Sequence, residues 1–289
     1  MKIKKLKEYD KKKIIIFMGS ARNKNNCPDQ ESKTSLIIKE ALKRIKDKKI
    51  DIDIELLDLS IEDDKPIIQP CKGCISTSGG AHCHWPCDCY IKGDKDHPDF
   101  ISEFNIYEKL QKSDAFIVFS PINWWSVTTQ IKALFDRLVC ASLTITTEQA
   151  LDIFGDDLKN SKKTKKFSET DEYKKMVKNH LEGKIAGFYV HGDNGANDYK
   201  GRKLPDTMNY NIGDFNDPKY AILPIVWQCR YMGINVPDKL IESFYMNHNI
   251  SYSKANDKLK NGELEFAINK AEKLIINIYN HMNYTSAKD

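Results

Sequence analysis

The sequence has 289 residues, which is enough for one large domain or two small ones with a sizeable core. Its formal charge of +4 is concentrated at the start, where residues 1–13 carry seven lysines against Glu8 and Asp10, so the remainder is near neutral. This distribution provides no basic face for nucleic acid, and we interpret residues 1–12 as a solvated tail. No stretch resembles a signal peptide core or a membrane span. We expect a soluble, cytoplasmic protein in which residues 13–289 form one domain.

The amino-terminal part of this domain contains a candidate phosphate site. Continuous apolar residues over 13–18 predict a strand that is buried on both faces, and helical spacing of apolar residues predicts a helix beginning near Ser35. Ser20 follows the strand, and Ser32 and Thr34 precede the helix. A helix amino terminus with several hydroxyls suits a phosphate dianion, whereas a single hydroxyl would be an ordinary N-cap. Neither glycine motif for dinucleotides or nucleoside triphosphates is present.

A second strand, nearer a sheet edge, is predicted over 51–59, and a cysteine-rich loop of about residues 66–92 follows it. The loop has the pattern C-x2-C-x8-C-x3-C-x-C, formed by Cys71, Cys74, Cys83, Cys87 and Cys89. In a cytoplasmic chain such thiols are metal ligands, redox centres or packing groups rather than structural disulfides. Their number suffices for zinc or an iron–sulfur cluster, but the spacing matches neither signature. All of these interpretations remain open.

The centre of the chain is a strand, loop and helix unit over 114–137. Its apolar run, 115–120, predicts a central strand, and an apolar stripe from Val127 to Val139 predicts a helix that packs on the sheet. The loop between them, Pro121–Ser126, leaves the carboxyl end of that strand, where open parallel sheets bind ligands. Trp124 and Trp125 lie in this loop, either as core packing or as contacts for a flat aromatic ligand.

The second half of the chain continues the alternation after an interruption. Residues 142–183 predict an irregular insertion that could act as a lid, and 183–190 predict a strand that ends in a polar loop, His191–Gly195. Asp217 and Gly233 predict the two ends of a helix that is kinked at Pro224. A last short strand is predicted over 234–237, and a closing helix over 263–281.

Strands and helices therefore alternate five times, with crossovers long enough for parallel strands. The sequence predicts an α/β fold: a flavodoxin-like, doubly wound, five-stranded parallel sheet with the order 2-1-3-4-5 and helices on both faces. In such a sheet the ligand lies where the order reverses, between the first and third strands. The loops that begin at Gly19 and Pro121 follow those two strands.

These loops also carry a family resemblance. The segments 19–22 (GSAR), 32–35 (SKTS) and above all 120–137 (SPINWWSVTTQIKALFDR) resemble the NAD(P)H-dependent FMN reductase family of flavodoxin-like proteins. The segment 83–87 (CHWPC) is similar to a subgroup with a cysteine-rich loop after the second strand. The resemblance extends over most of residues 12–282, apart from much of the insertion.

The resemblance implies that FMN is bound with its phosphate on the first two segments and its isoalloxazine on the third, where loop amides would face N1 and O2. The implied cofactor-binding residues are Ser20, Arg22, Ser32, Thr34, Ser35, Pro121, Ile122, Asn123, Trp124, Trp125, Ser126, His191, Gly192, Asp193 and Gly195. No side chain is expected to act as an acid or base, because the flavin carries the chemistry. The implied reaction is hydride transfer from NADH or NADPH through FMN to a quinone, a flavin or another small-molecule acceptor. We expect a homodimer or homotetramer.

Two alternatives from other classes follow from the cysteine-rich loop. An iron–sulfur cluster on these cysteines would make the chain an electron-transfer protein like the related iron–sulfur flavoproteins. A zinc ion on the same residues would instead fit a flavin-free binding domain. An absorption spectrum with metal analysis distinguishes these two hypotheses from the FMN reductase.

Overall fold

The computed structural model describes residues 11–23, 31–193, 217–246 and 262–286. Within these ranges five strands form one parallel sheet in the order β2-β1-β3-β4-β5. The strands are β1 (Lys13–Met18), β2 (Asp53–Asp58), β3 (Ala115–Pro121), β4 (Ile185–Asp193) and β5 (Ile241–Met246). This is the flavodoxin-like order, and the reversal falls between β1 and β3. The predicted fold class is confirmed.

The helices connect these strands and lie on both faces of the sheet. They are α1 (Lys33–Asp47), α2 (Cys74–Ser78), α3 (Phe100–Glu103), α4 (Ile106–Lys112), α5 (Thr129–Arg137), α6 (Thr147–Phe154), α7 (Ser161–Ser168), α8 (Asp171–Met176), α9 (Leu223–Tyr231) and α10 (Gly262–Ser286). Buried residues of α1 and α10 pack on one face, and those of α4, α5 and α9 pack on the other. Strands β1 and β3 are buried on both faces, as their continuous apolar runs predict.

The insertion at 142–183 differs from the irregular connection that its composition predicts, because it contains the three short helices α6, α7 and α8. It packs against the cysteine-rich loop. Trp85 donates its main-chain N–H to the carbonyl of Ile145 at 2.9 Å, and its indole stacks on the His180 ring. Ala81, Ile145, Ala150 and Tyr173 form a small apolar cluster between the two segments. The insertion therefore covers the cysteine-rich loop.

Two details near the carboxyl end also differ from the predictions. The fifth strand is Ile241–Met246 rather than residues 234–237, of which Asn235 forms only an isolated bridge to Ile185. Pro237 has no N–H to extend that pairing, and the chain turns through a 3-10 helix, Asp238–Leu240, into β5. The helix predicted from Asp217 is divided into a 3-10 turn, Pro218–Ala221, and α9, which begins beside Pro224.

Other predictions fall partly outside the described ranges. Residues 1–10 of the predicted tail and Gly195 of the loop after β4 are not among the described residues. No helix within the described ranges is long and apolar enough to cross a membrane.

Candidate functional site

Hydrogen bonds join the carboxyl ends of β1, β3 and β4 into one pocket. Gly19 donates its main-chain N–H to the carbonyl of Phe119 at 2.7 Å, and the Thr128 hydroxyl donates to the carbonyl of Gly19 at 2.6 Å. Ile122 donates its N–H to the carbonyl of His191 at 2.8 Å. These bonds hold three loops around an opening of about 260 Å³, which we call the strand-end pocket. It lies where the strand order reverses, as predicted.

Most of the predicted cofactor-binding residues line this pocket. Its walls are formed by Ser20, Ala21, Arg22, Ser32, Lys33, Thr34, Pro121, Ile122, Asn123, His191 and Gly192. Two of these, Ala21 and Lys33, are absent from the sequence-based set. Lys33 follows the N-cap of α1 directly, so its position beside the predicted phosphate site was the signal that would have identified it.

The amino terminus of α1 supplies one end of the pocket with hydroxyl groups. Ser32 is the N-cap, and its hydroxyl oxygen accepts a hydrogen bond from the Ser35 N–H at 3.1 Å. Ser20 likewise accepts from the Arg22 N–H at 3.3 Å, so both hydroxyls keep a proton to donate. The Thr34 hydroxyl lies 2.9 Å from Nε2 of His191. Hydroxyl donors and a helix amino terminus at one place are suited to a phosphate group.

Ser35 departs from its predicted position in this group. Its hydroxyl donates to Oε1 of Glu31 at 2.5 Å, and Ser35 does not line the pocket. Helical geometry explains the difference, because Thr34 and Ser35 are adjacent and their side chains leave the helix about 100° apart. Only Thr34 of this pair faces His191.

The tryptophan loop is a tight turn. The N–H groups of Asn123 and Ser126 donate to each other's carbonyl groups at 2.8 and 3.1 Å, which leaves Trp124 and Trp125 as the two central residues. Both have positive φ angles, 48° and 60°, in a region where glycine and asparagine are favoured. Their side chains are 90% and 62% exposed, and neither they nor Ser126 line the pocket. The turn therefore presents two indoles at the surface.

The end of β4 shapes the opposite wall. The strand continues through His191 and Gly192 to Asp193, beyond the predicted loop boundary at His191, because the segment pairs with β5. A Cβ atom at Gly192 would lie 3.1 Å from the Tyr245 ring and 3.2 Å from Ile122. Any side chain here would crowd the wall beside Pro121 and Ile122. The side chain of Asp193 is outside the described part of the structure.

The cysteine-rich loop forms a separate, smaller cavity of about 20 Å³, which we call the thiol cavity. The residues around it are Cys71, Cys74, His82, Cys83, His84, Cys87, Asp88, Cys89, Arg137, Val139 and Cys140. All five predicted cysteines are present, together with Cys140 from the segment after α5. The sulfur atoms of Cys74 and Cys89 lie 3.6 Å apart.

Arg137 is the one cation on the thiol cavity among the described residues, and its side chain is only 1% exposed. Its Nη1 donates to Oδ1 of Asp99 at 3.0 Å and to the carbonyl of Gln69 at 3.3 Å. Its Nε and Nη2 have no hydrogen-bond partner among the described residues. A buried guanidinium with unused donors favours negative charge on its neighbours.

The thiols of this cavity differ in pKa. Hydrogen bonds from the thiols of Cys140 and Cys89 lower the pKa of Cys87 against the cost of burial, and the charge of Arg137 lowers it further. Burial raises the pKa of Cys83 to about 12, with the charge of Cys87 adding to the effect. Burial likewise raises the pKa of Cys140. Negative charge in the cavity is therefore concentrated on Cys87.

The metal alternatives are not supported by this arrangement. Among the described residues, no group of three or more histidine, cysteine, aspartate or glutamate side chains has the geometry to hold a metal ion. The thiols instead hydrogen-bond with one another, as the contact between Cys74 and Cys89 shows. We therefore derive no step through zinc or an iron–sulfur cluster.

The two cavities lie at opposite ends of α5. Thr128 caps the first turn of this helix and contacts Gly19 beside the strand-end pocket, whereas Arg137 ends the helix at the thiol cavity. The helix has nine residues, a length of about 13 Å. The cavities share no lining residue among those described.

Comparison with solved structures agrees with the fold. A putative quinone reductase from Klebsiella pneumoniae has 13% identity and a TM-score of 0.50, with 93% of this chain and 85% of that chain covered. An azoreductase from Bacillus anthracis has 12% identity and a TM-score of 0.44, with coverage of 91% and 99%. Comparison with curated protein sequences finds no match.

Part of the sequence matches a family model. Residues 12–153 match the model of the NADPH-dependent FMN reductase family, a stretch that contains the phosphate-site hydroxyls, the tryptophan loop and α5. The match supports the prediction of an FMN-dependent oxidoreductase. Over these residues, just under half of the chain, the protein is similar to the NADPH-dependent FMN reductase family.

Proposed function

We propose that the chain transfers hydride from NADH or NADPH to FMN in the strand-end pocket, and from there to a small-molecule acceptor such as a quinone or a flavin. The observation that carries this proposal is the convergence of Ser20, Ser32 and Thr34 at the amino terminus of α1, inside the opening of about 260 Å³ between β1 and β3. The family match supports the same cofactor.

The phosphate end of the pocket would be held by hydroxyl donors and positive charge. Ser20 and Ser32 each accept a main-chain N–H and so direct their own proton elsewhere, into the pocket that they line. Arg22 and Lys33 line the same end and would neutralise the dianion. Thr34 connects this end to His191, so phosphate binding and the end of β4 are coupled through one contact.

The ring end would lie on Pro121, Ile122 and Asn123. The N–H groups of Ile122, Asn123 and Ser126 already donate within the protein, to His191, Ser126 and Asn123. The tryptophan-loop amides that remain for a flavin are those of Trp124 and Trp125. We propose that these two N–H groups stabilise the negative charge that a reduced ring places at N1 and O2.

Bound FMN would supply the hydride chemistry, and the protein would bind, orient and shield it. No side-chain acid or base is required for hydride transfer. The exposed indoles of Trp124 and Trp125 follow the pocket residue Asn123 in the same loop and would provide flat surfaces for an aromatic acceptor or a nicotinamide.

The reaction is tested by anaerobic mixing of FMN-loaded protein with NADPH and, separately, NADH. We expect the flavin absorption band to bleach with at least one nucleotide and to return when a quinone is added. A Gly192→Val variant should fail to load FMN, because its side chain would crowd Ile122 and Tyr245. Loaded flavin that neither nucleotide reduces would contradict the proposal.

Three wider predictions accompany this proposal. Residues 13–289 would form one domain in which the cysteine-rich loop and the insertion are additions to the flavodoxin-like sheet. The protein would be cytoplasmic and would assemble as a homodimer or homotetramer. Light scattering of the FMN-loaded protein tests the assembly, and a monomer at all concentrations would contradict it.

A further inference from the structure

The proposed function leaves the thiol cavity without a role. Six cysteines surround it, and five of them come from a stretch of nineteen residues, 71–89, within the cysteine-rich loop. Arg137 lines the same cavity, almost fully buried, with Nε and Nη2 lacking an acceptor among the described residues. Burying a cation with unused donors costs free energy unless negative charge compensates it. Asp99 supplies one negative charge at Nη1, and a thiolate in this cavity would supply a second near the remaining donors.

Two of these thiols are already in contact. The sulfur atoms of Cys74 and Cys89 lie 3.6 Å apart, and a disulfide bond of about 2.05 Å requires an approach of about 1.5 Å. Both residues are partly exposed, whereas Cys83 and Cys140 are buried. Cys74 begins the short helix α2, and Cys89 lies in a bend of the loop, so neither sulfur is held by a long, rigid element.

Hydrogen bonding to Cys87 and burial raise the pKa of Cys89, so Cys74 is the thiol of this pair that attacks first. Arg137 contributes a permanent positive charge, and Nζ of Lys72 donates to the carbonyl of Cys89 at 3.0 Å. Asp88 opposes this charge, but it is largely exposed and lies 3.2 Å from Nε2 of His84. Cysteines in electropositive, partly exposed positions are the reactive ones in proteins.

We propose that the thiol cavity is a site of thiol–disulfide exchange, in which Cys74 and Cys89 alternate between two thiols and one disulfide, with low-molecular-weight disulfides as the reactant class. This inference does not depend on the proposed flavin function. It also explains why the insertion covers the loop: the cover fixes Trp85 beside the cluster and leaves the Cys74 and Cys89 side partly open.

The exchange has two balanced steps. One thiol of the pair, as thiolate, attacks a sulfur of the reactant disulfide, whose S–S bond breaks and releases one thiolate. The second thiol then attacks the protein sulfur of this mixed disulfide and releases the other thiolate. The protons of the two cysteines pass to the released thiolates, and two electrons move from the protein pair to the reactant.

The size of the cavity identifies the reactant as one that approaches from outside. A volume of about 20 Å³ holds about one water molecule, so no organic ligand enters it. A flexible disulfide such as oxidised glutathione needs only to present one sulfur at the exposed side of Cys74 or Cys89. The second step then occurs within the protein, where the two sulfurs are already neighbours.

The test uses the full-length protein, oxidised glutathione and peptide mapping by mass spectrometry. The wild type should lose the thiols of Cys74 and Cys89 together, form a disulfide between them, and regain both with dithiothreitol. Cys74→Ser should instead accumulate one glutathione on Cys89, and Cys89→Ser one on Cys74. Cys229→Ser is the matched control, because Cys229 is buried in α9 and away from the cavity, and it should behave like the wild type.

Three outcomes would overturn the proposal. A persistent glutathione adduct on the wild type would show that the pair does not resolve it. A disulfide that joins other cysteines, such as Cys87 and Cys140, would assign the exchange elsewhere. Stoichiometric iron or zinc that protects the thiols would make the cluster a metal site. FMN affinity, measured on the same variants, should be unchanged, so either proposal can fail without the other.

Discussion

The two ends of α5 have opposite character. At its start, the strand-end pocket is an opening of about 260 Å³ lined by hydroxyls and main chain. At its end, the thiol cavity has about 20 Å³ and is lined by Arg137, which forms a buried ion pair with Asp99. The first end has room for a cofactor, whereas the second places charged groups in a largely buried position. One short helix thus connects a region built for binding with a region on which the stability of the fold depends.

The largest loss of stability is expected at the thiol-cavity end of α5, which we call the closed end. Asp99→Asn removes the partner of a buried guanidinium but keeps a side chain that can cap α3, so the loss reflects charge. We expect the free energy of unfolding to fall by about 3–5 kcal/mol in urea titration. Asp136→Asn is the control, because Asp136 pairs with Lys132 at the exposed surface and should cost less than about 1 kcal/mol. Equal losses would remove the distinction between the two ends.

A smaller loss of stability is expected at the strand-end-pocket end of α5, which we call the open end. A Cβ atom at Gly19 would lie 2.4 Å from Cγ1 of Ile131 and 3.0 Å from the carbonyl oxygen of Phe119. Gly19→Ala should therefore push α5 away from the sheet and cost about 1–3 kcal/mol of unfolding free energy. Gly262→Ala, with no atom within 4 Å, is the matched control and should not destabilise the protein. A fully stable Gly19→Ala protein would contradict the close packing of α5.

The open end is also the part that the sequence predicts well. Hydroxyls and glycines there directly follow or precede strongly apolar elements, so chain order alone brings Ser20, Thr34, Pro121 and Gly192 to one edge of the sheet. What chain order does not predict is the direction of each side chain. Ser35 turns to Glu31, and the positive φ angles of Trp124 and Trp125 direct the indoles away from the pocket.

The closed end was less predictable for two physical reasons. Arg137 and Cys140 are about fifty residues from the cysteine-rich loop in sequence, so only tertiary packing reveals that they join it. The insertion has helices of eight residues or fewer, too short for an apolar period to stand out, and local caps by Thr146, Asn160 and Thr170 define them instead. Tertiary contacts with the loop supply the rest of their stability.

In the tryptophan loop, a substitution is expected to stabilise the protein rather than destabilise it. Trp125 is largely exposed and has a φ angle of 60°, so Trp125→Gly removes backbone strain and little packing. We expect a gain of about 1 kcal/mol in unfolding free energy. Trp227→Gly, at a similarly exposed position inside α9, should instead lose about 1 kcal/mol. A loss in both proteins would show that the Trp125 indole contributes more by packing than its backbone costs.

The smallest effect concerns pH and the cover of the cysteine-rich loop. Burial lowers the pKa of His180, whose Nε2 lies 2.9 Å from the carbonyl of Thr144 and whose ring stacks on Trp85. The folded protein then binds fewer protons at His180 than the unfolded chain does. The contribution of His180 to the free energy of unfolding is therefore present above about pH 6.5 and is lost as the pH falls towards the folded pKa. Urea titrations at about pH 7.5 and pH 5.5 measure the free energy of unfolding at each pH. Its decrease from the higher to the lower pH should be smaller for His180→Gln than for the wild type. Identical decreases would contradict this assignment.

The central claim is that the hydroxyls at the strand-end pocket hold the phosphate of FMN, and a comparison of FMN with riboflavin tests it most directly. The double variant Ser20→Ala, Thr34→Ala keeps the Ser32 cap of α1 and removes two donors from the pocket. It should weaken FMN by about 3 kcal/mol, roughly a hundredfold in Kd by flavin fluorescence titration, and leave riboflavin unchanged. Ser35→Ala, whose hydroxyl contacts Glu31, should bind both ligands like the wild type. Equal losses of FMN and riboflavin in the double variant would contradict the account.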